Sequence, residues 1–366
     1  MPLHRQVRRG LWGLGGLAVV LALSAISPDT STGYVGRQAL FQLELLYGRV
    51  PLARARASGD LTAKEVQHLD WIPEIQAFGD KLGLAAGKSY VTINPTWHRT
   101  IYNLSACDPV SFRVVHWRFP IVGTVPYLGY FRARDARHRL RVLRARGYDV
   151  YVRTAGAYST LGWFSDPVLP QMLHWSDGQL ANTLLHERTH ATLWIPGSVN
   201  FNESFANFVG NEAELRYLVD RYGADSPEVA KEKARREDYQ TYRKLMQDTY
   251  QALQAVYTDP DLDRGEKLRD KALIFAALPE RAALAGFHRE DAYLGAMRRG
   301  PWNNARMAQF RTYNTSQGHF AALLEQEHGD LRAFIDRVGE IARGQQDPYA
   351  ALARAVGADP LADAGD

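Results

Sequence analysis

His186, Glu187 and His190 are the residues whose types and spacing most directly imply chemistry. On an α-helix, side chains four apart share a face, so His186 and His190 can offer two imidazoles to one cation. Glu187 follows the first histidine and projects toward where a water on that cation would sit. A catalytic zinc takes three protein ligands, keeps one position open, and lowers the pKa of its water to about 7. A carboxylate beside that water can take its proton and later pass it to a leaving amine. Chance would produce His-Glu-x-x-His on the order of 0.01 times in a chain with this many histidines. Leu180, Leu184, Leu185 and Ala191 mark the helix as buried, where unpaired charge is costly.

The third ligand has to come from further along. Leu193 and Pro196 stand where a third histidine would close a compact site, and the nearest candidate is Glu203. A turn at Pro196 and Gly197 would let a second, antiparallel helix begin before it. On that helix Glu203, Ala206, Asn207 and Gly210 share a face, and the small Ala206 and Gly210 permit a close approach. Phe201, Phe205 and Phe208 point into core. The competing reading is that Glu203 caps its own helix, since Asn200 and Glu203 have capping-box spacing. Glu212 and Glu214 are fallback carboxylates and His174 a fallback imidazole.

Around this pair the pattern predicts an α+β fold, mainly α. It comprises a small N-terminal mixed or antiparallel sheet, an edge strand beside the motif helix, and a helical bundle after it. Arg37 to Leu46 reads as a helix. Thr62 and Glu65 form a capping box starting another, which Pro73 should interrupt and which resumes to about Lys81. Tyr90–Ile93 and the alternating Ser111–Phe119 read as strands, Pro120–Tyr130 as a Gly/Pro-punctuated loop. Arg132–Arg146 reads as a helix stopped by Gly147, and Tyr148–Thr154 as a strand. Ala155–Phe164 has strand-like residues broken by Gly156 and Gly162, as an edge strand or bulge would. Asp166 and Pro167 look like a helix start, and Ser176 and Gln179 cap the motif helix. Five helices follow, Pro227–Tyr257, Leu262–Leu278, Asn303–Tyr313, Gln317–His328 and Leu331–Arg343.

Beyond the motif, several segments resemble the bacterial family described as putative aminopeptidases. They are Gly129–Phe131, Asp149–Arg153, Ala157–Pro167, Phe201–Gly210 and Trp302–Ala305, and the likeness runs from about Gly33 to the C-terminal helices. The motif followed by Asn202, Glu203, Phe205 and Ala206 also resembles the gluzincin metallopeptidases. That resemblance implies a zincin-type motif helix, one zinc ion on His186, His190 and Glu203, and Glu187 as general base. It further implies an edge strand that binds the substrate backbone, for which Gly156, Ala157, Tyr158, Ser159 and Thr160 are the candidates; the alternative is a merely packed strand. Tyr158 and Tyr313 are candidate oxyanion donors. Two departures stand out. No lipoprotein cysteine follows the N-terminal apolar run. Arg188-Thr189 replaces the usual apolar-small pair, and Arg188 should face away from the metal, tolerated or paired with an acid.

The rest of the composition narrows the function. The chain has 366 residues, 46% hydrophobic and 23% charged, with net charge +4. No Lys/Arg stripe with interleaved aromatics marks a nucleic-acid surface; Lys231–Asp238 is mixed in sign and reads as a solvated helix face. The single cysteine, Cys107, excludes internal disulfides and lacks a nucleophile context. Arg5, Arg8 and Arg9 precede the apolar run Leu11–Ile26, the pattern of an export signal. It is either cut before Ala25 or retained as a membrane anchor, placing the chain in the periplasm or on the cell envelope. The expected organisation is a signal or anchor over 1–27, a sheet-containing lobe with the metal-site helices over 28–215, a helical lobe over 216–355, and a tail over 356–366; alternatively 28–355 is one catalytic domain. The function this predicts is an exported zinc peptidase acting on peptide substrates. The alternatives are a zinc hydrolase of another acyl substrate and a non-catalytic envelope scaffold.

Overall fold

Ser176 and Gln179 do what their spacing predicts. In a computed structural model that describes residues 31–97, 99–119, 123–155 and 165–358, the Ser176 hydroxyl accepts from Gln179 N while the Gln179 side chain accepts from Ser176 N. This opens the motif helix, Asp177–Thr192, which packs along its partner Val199–Tyr222. The chain is mainly helical, with small antiparallel sheets.

The helix of Thr62 and Glu65 has its capping box and runs unbroken over Ala63–Lys81. Pro73 does not interrupt it, contrary to expectation. Pro73 lies on the solvent side, while Leu69, Trp71, Ile72, Ile75 and Phe78 fix the other side in the core. Tertiary burial outweighs one missing helical hydrogen bond.

The β section differs most from the sequence pattern. Its main sheet has three antiparallel strands in the order Leu128–Tyr130, Ile101–Cys107, Asp149–Ala155. The central strand, Ile101–Cys107, has no clean alternation because Tyr102 and Asn103 are half-buried in succession and Leu104–Cys107 are all buried, and the pattern missed it. Ser111–Phe119 is not one strand. Only Trp117–Phe119 is, paired with Gly123–Val125, and Val114 makes a single bridge to Cys107. The loop expected over Pro120–Tyr130 therefore carries two short strands. Thr92–Ile93 is all that remains of the strand at Tyr90, whose own φ is +62°. Asp166 and Pro167 start no helix. Their backbone is taken up by extended pairing instead, Tyr90 N donating to Asp166 O and Val168 N to Thr92 O, and a 3-10 turn follows at Pro170–His174.

Helices Ser31–Tyr47, Ala133–Ala145, Pro227–Thr258, Arg264–Ala276, Asn304–Asn314, Gln317–Gln326 and Leu331–Ala342 lie where the pattern puts helices. Leu52–Ala57, Leu278–Ala283, Glu290–Arg298 and Pro348–Ala355 were not anticipated. One large core joins the site helices to Ala63–Lys81 and to the C-terminal helices, where Phe320 and Phe334 pack, rings tilted, among Phe201, Phe205 and Phe208. Phe201, Phe205 and Phe208 thus point into core as their spacing suggests. A second core joins Leu245 and Leu253 of the long helix Pro227–Thr258 to Phe275 and Leu294 of the helices that follow it. Cys107 is buried and free, and burial with the nearby Asp149 and Asp108 pushes its thiol up to about 12, so it is inert.

Candidate metal centre

Three side chains converge between the motif helix and its partner. His186 and His190 project from one face, their Nε2 atoms 3.1 Å apart. Glu203 approaches from the facing helix, Oε2 3.7 Å from His186 Nε2 and Oε1 3.8 Å from His190 Nε2. One ligand atom from each lies within 4.8 Å of the others, the one such His/Cys/Asp/Glu group among the described residues.

Small residues make the convergence possible. A Cβ on Gly210 would sit 3.2 Å from both His186 Cβ and the Asn182 carbonyl oxygen, and Ala206 is fully buried. Asn202 sets the entry of the second helix: its amide donates to Ile195 O and accepts from Ile195 N, both at 2.8 Å. Gly197 turns the chain there with φ +81°. The helix starts at Ser198, with no side-chain cap. Glu203 therefore lies beyond the first turn and does not form the capping box that Asn200 suggested; its side chain is 7% exposed.

The donor set suits a divalent cation. Two Nε2 atoms at 3.1 Å cannot both carry protons, and two neutral imidazoles with a carboxylate are ligands zinc takes. Burial, reinforced by His186, pushes His190 down to about 4, leaving it neutral at neutral pH. Burial would lower His186 as well, but Glu203, Glu187 and the Ala206 backbone together raise it. Burial would raise Glu203; His186, His190 and Arg153 outweigh it and hold the carboxyl below its ordinary range. A buried carboxylate held ionised against its desolvation is a ready partner for added positive charge.

The half-buried Glu187 carboxylate belongs to the same field, acting on His186, Tyr127 and Tyr313. Burial and then the Glu203 charge push Tyr127 and Tyr313 well above the ordinary tyrosine range, so both phenols keep their protons. Arg153 Nη2 donates to Tyr313 Oη at 3.0 Å. The helix carrying Tyr313 is tied to the sheet at its start: Asn303 donates to Val150 O and Asn304 N to the Asp149 carboxylate.

Of the residues singled out from sequence, His186, Glu187, His190, Glu203 and Tyr313 are thus brought together. Gly156, Ala157, Tyr158, Ser159 and Thr160 lie outside the described residues. None of the fallback ligands joins the cluster. His174 is exposed and 3.4 Å from Glu65, Glu212 pairs with Arg216 and Arg236, and Glu214 with Arg235. Arg188 does face away from the cluster and does pair with an acid, Asp80 at 2.5 Å. Tyr127 and Arg153 were missed. Tyr127 was hidden in an apparent loop. Arg153 alternates with Val152 and Thr154 on a strand, and a cation on the helix-covered face of that strand was the available signal. A cavity of about 470 Å³ opens one helical turn from the cluster, walled by Thr183, Asn182, Asn207, Asn211 and Tyr239.

The family described as putative aminopeptidase matches residues 33–351 of the chain. No curated protein matches it, and no solved structure does.

Proposed function

We propose that this chain, which belongs to the putative aminopeptidase family, is an exported zinc-dependent peptidase of gluzincin type that removes residues from peptide N-termini. The observation that carries the reading is the meeting of His186, His190 and Glu203 within 4.8 Å, one residue from Glu187. When bound there, zinc supplies Lewis acidity and a water that deprotonates near neutral pH.

The chain's own residues do the rest. His186, His190 and Glu203 would hold the cation. Glu187 takes the proton of the attacking water and returns it to the leaving nitrogen. Tyr313, its oxygen accepting from Arg153 at 3.0 Å, keeps its own O–H to donate to the developing oxyanion. Tyr127 is the second phenol available for that task. "Peptidase" follows from the family and the cluster together; the amino-terminal preference rests on the family.

The test is a substrate panel with two variants. Wild-type protein should hold one zinc and hydrolyse free-amine aminoacyl substrates but not N-blocked ones. Glu187→Gln should keep the zinc and lose turnover by about 10²–10⁴-fold, and Glu203→Ala should lose the zinc. Retained hydrolysis by Glu187→Gln refutes the base. Equal zinc in Glu203→Ala refutes the ligand. Hydrolysis of N-blocked peptides refutes the N-terminal preference, and hydrolysis of esters alone refutes peptide as the substrate class.

A further inference from the structure

Helix Ser31–Tyr47 buries one side and leaves an unusual other side. Phe41 and Leu45 are buried and join the large core. The exposed positions are Val35, Ala39, Leu40, Leu43, Glu44 and Tyr47. Leu43 is 62% and Tyr47 95% exposed, Val35 and Leu40 more than 40%. Glu44, the single charge among them, accepts from Arg99 at 2.9 and 3.1 Å. A water-facing helix side normally carries charges. This one presents four large apolar side chains over its length.

The sequence places a long apolar segment next to them. The apolar run Leu11–Ile26 is separated from Ser31 by four residues, Ser27 to Thr30. A chain of that length reaches at most about 14 Å. The run has 16 residues, fewer than the ~20 that a comfortable membrane span needs. A span that short ends inside or at the edge of the apolar layer. With the run in a bilayer, Ser31 is therefore held at the headgroups, and the exposed stripe starts within one turn of it. Among the described residues no helix is long and apolar enough to cross a membrane; a helix with one apolar side that meets a bilayer lies in the interface plane.

We propose that Ser31–Tyr47 lies on the lipid bilayer through Val35, Leu40, Leu43 and Tyr47, and that this contact, continuous with the retained run Leu11–Ile26, holds the body of the protein against the membrane. The proposal is independent of the peptidase reading. It concerns a face on the first described helix and needs no metal.

Site-directed labelling tests it on the full chain. Cys107 is buried, so a cysteine introduced at an exposed position is the one a thiol-reactive fluorophore reaches. Leu43→Cys is compared with Leu273→Cys, an exposed leucine (69%) on helix Arg264–Ala276. Each protein is placed singly in nanodiscs of phosphatidylethanolamine and phosphatidylglycerol, with and without lipid carrying a quencher near the headgroup. An interfacial helix buries its apolar face roughly 5–10 Å deep, so the label at 43 should shift to the blue and lose about half its emission or more to the quencher. The label at 273 should do neither. Equal, water-like emission at both positions overturns the proposal. So does a blue shift at 43 that vanishes when discs with two copies are removed, because the face then packs against a second copy of this chain.

Discussion

Arg188 gives the most demanding test of how the site helix is held. Its side chain is 3% exposed and sits inside the motif between the two histidines. Nε donates to Ala85 O at 3.1 Å, and Nη2 to Leu84 O and to Asp80 Oδ1, both at 2.5 Å. Nη1 donates to the Gln76 carbonyl and to its side-chain oxygen. The guanidinium thus seals the C-terminal end of helix Ala63–Lys81, the end where carbonyls lack partners and a cation is favoured. Arg188→Met keeps the apolar stem and removes the fork. Ala85 and the Asp80 carboxylate are exposed and regain water, so they contribute little. The buried Leu84 segment loses a charge-assisted bond worth about 1.5–3 kcal/mol, and Gln76 loses a further bond of about 1 kcal/mol. The expected loss is about 3 kcal/mol, a fall in melting temperature of roughly 4 °C for a chain of this size. Arg188→Lys should recover less than half, because one ammonium cannot serve carbonyls in three directions. Urea midpoints and calorimetry measure both. A loss under about 1 kcal/mol for methionine, or full recovery by lysine, would falsify the reasoning.

Three other outcomes follow from the geometry. Gly210→Ala places a Cβ 3.2 Å from His186 Cβ and from Asn182 O, so it should cost about 1–3 kcal/mol and weaken zinc retention during dialysis against a chelator; unchanged retention contradicts the close-approach argument. Glu214 is buried, and desolvation, with Glu232 competing for Arg235, pushes its carboxyl up to about 7. The folded state then holds a proton the unfolded chain releases, so this group's stability contribution is full below about pH 4.5 and is lost as pH rises through about 7; Glu214→Gln should flatten that slope by up to about 3 kcal/mol between pH 5 and 8 in urea titrations. Tyr313→Phe should lower kcat about tenfold or more with little change in KM, and adding Arg153→Met should do little further if Arg153 acts through the Tyr313 hydroxyl; additive losses in the double variant point to separate roles.

What could be read from the sequence was local. Capping at Thr62 and Ser176 depends on residues three apart, and the shared face of His186 and His190 depends on helical period alone. The smallness of Ala206 and Gly210 sufficed to suggest that two helices touch. What required the tertiary structure was every assignment that depends on a distant partner. Pro73 stays helical because the core holds its neighbours. Ile101–Cys107 becomes the central strand because Leu128–Tyr130 and Asp149–Ala155 flank it, not because its own pattern alternates. Glu203 is separated from its capping alternative by where Ser198 ends the turn. Arg153 and Tyr127 reach the cluster only once the sheet lies beside the site helices, since Glu203, the carboxylate whose charge each of them meets there, is 50 or more positions away in the chain. Periodicity and capping are encoded within a few residues; burial and electrostatic fields are sums over neighbours that only the folded chain brings into range.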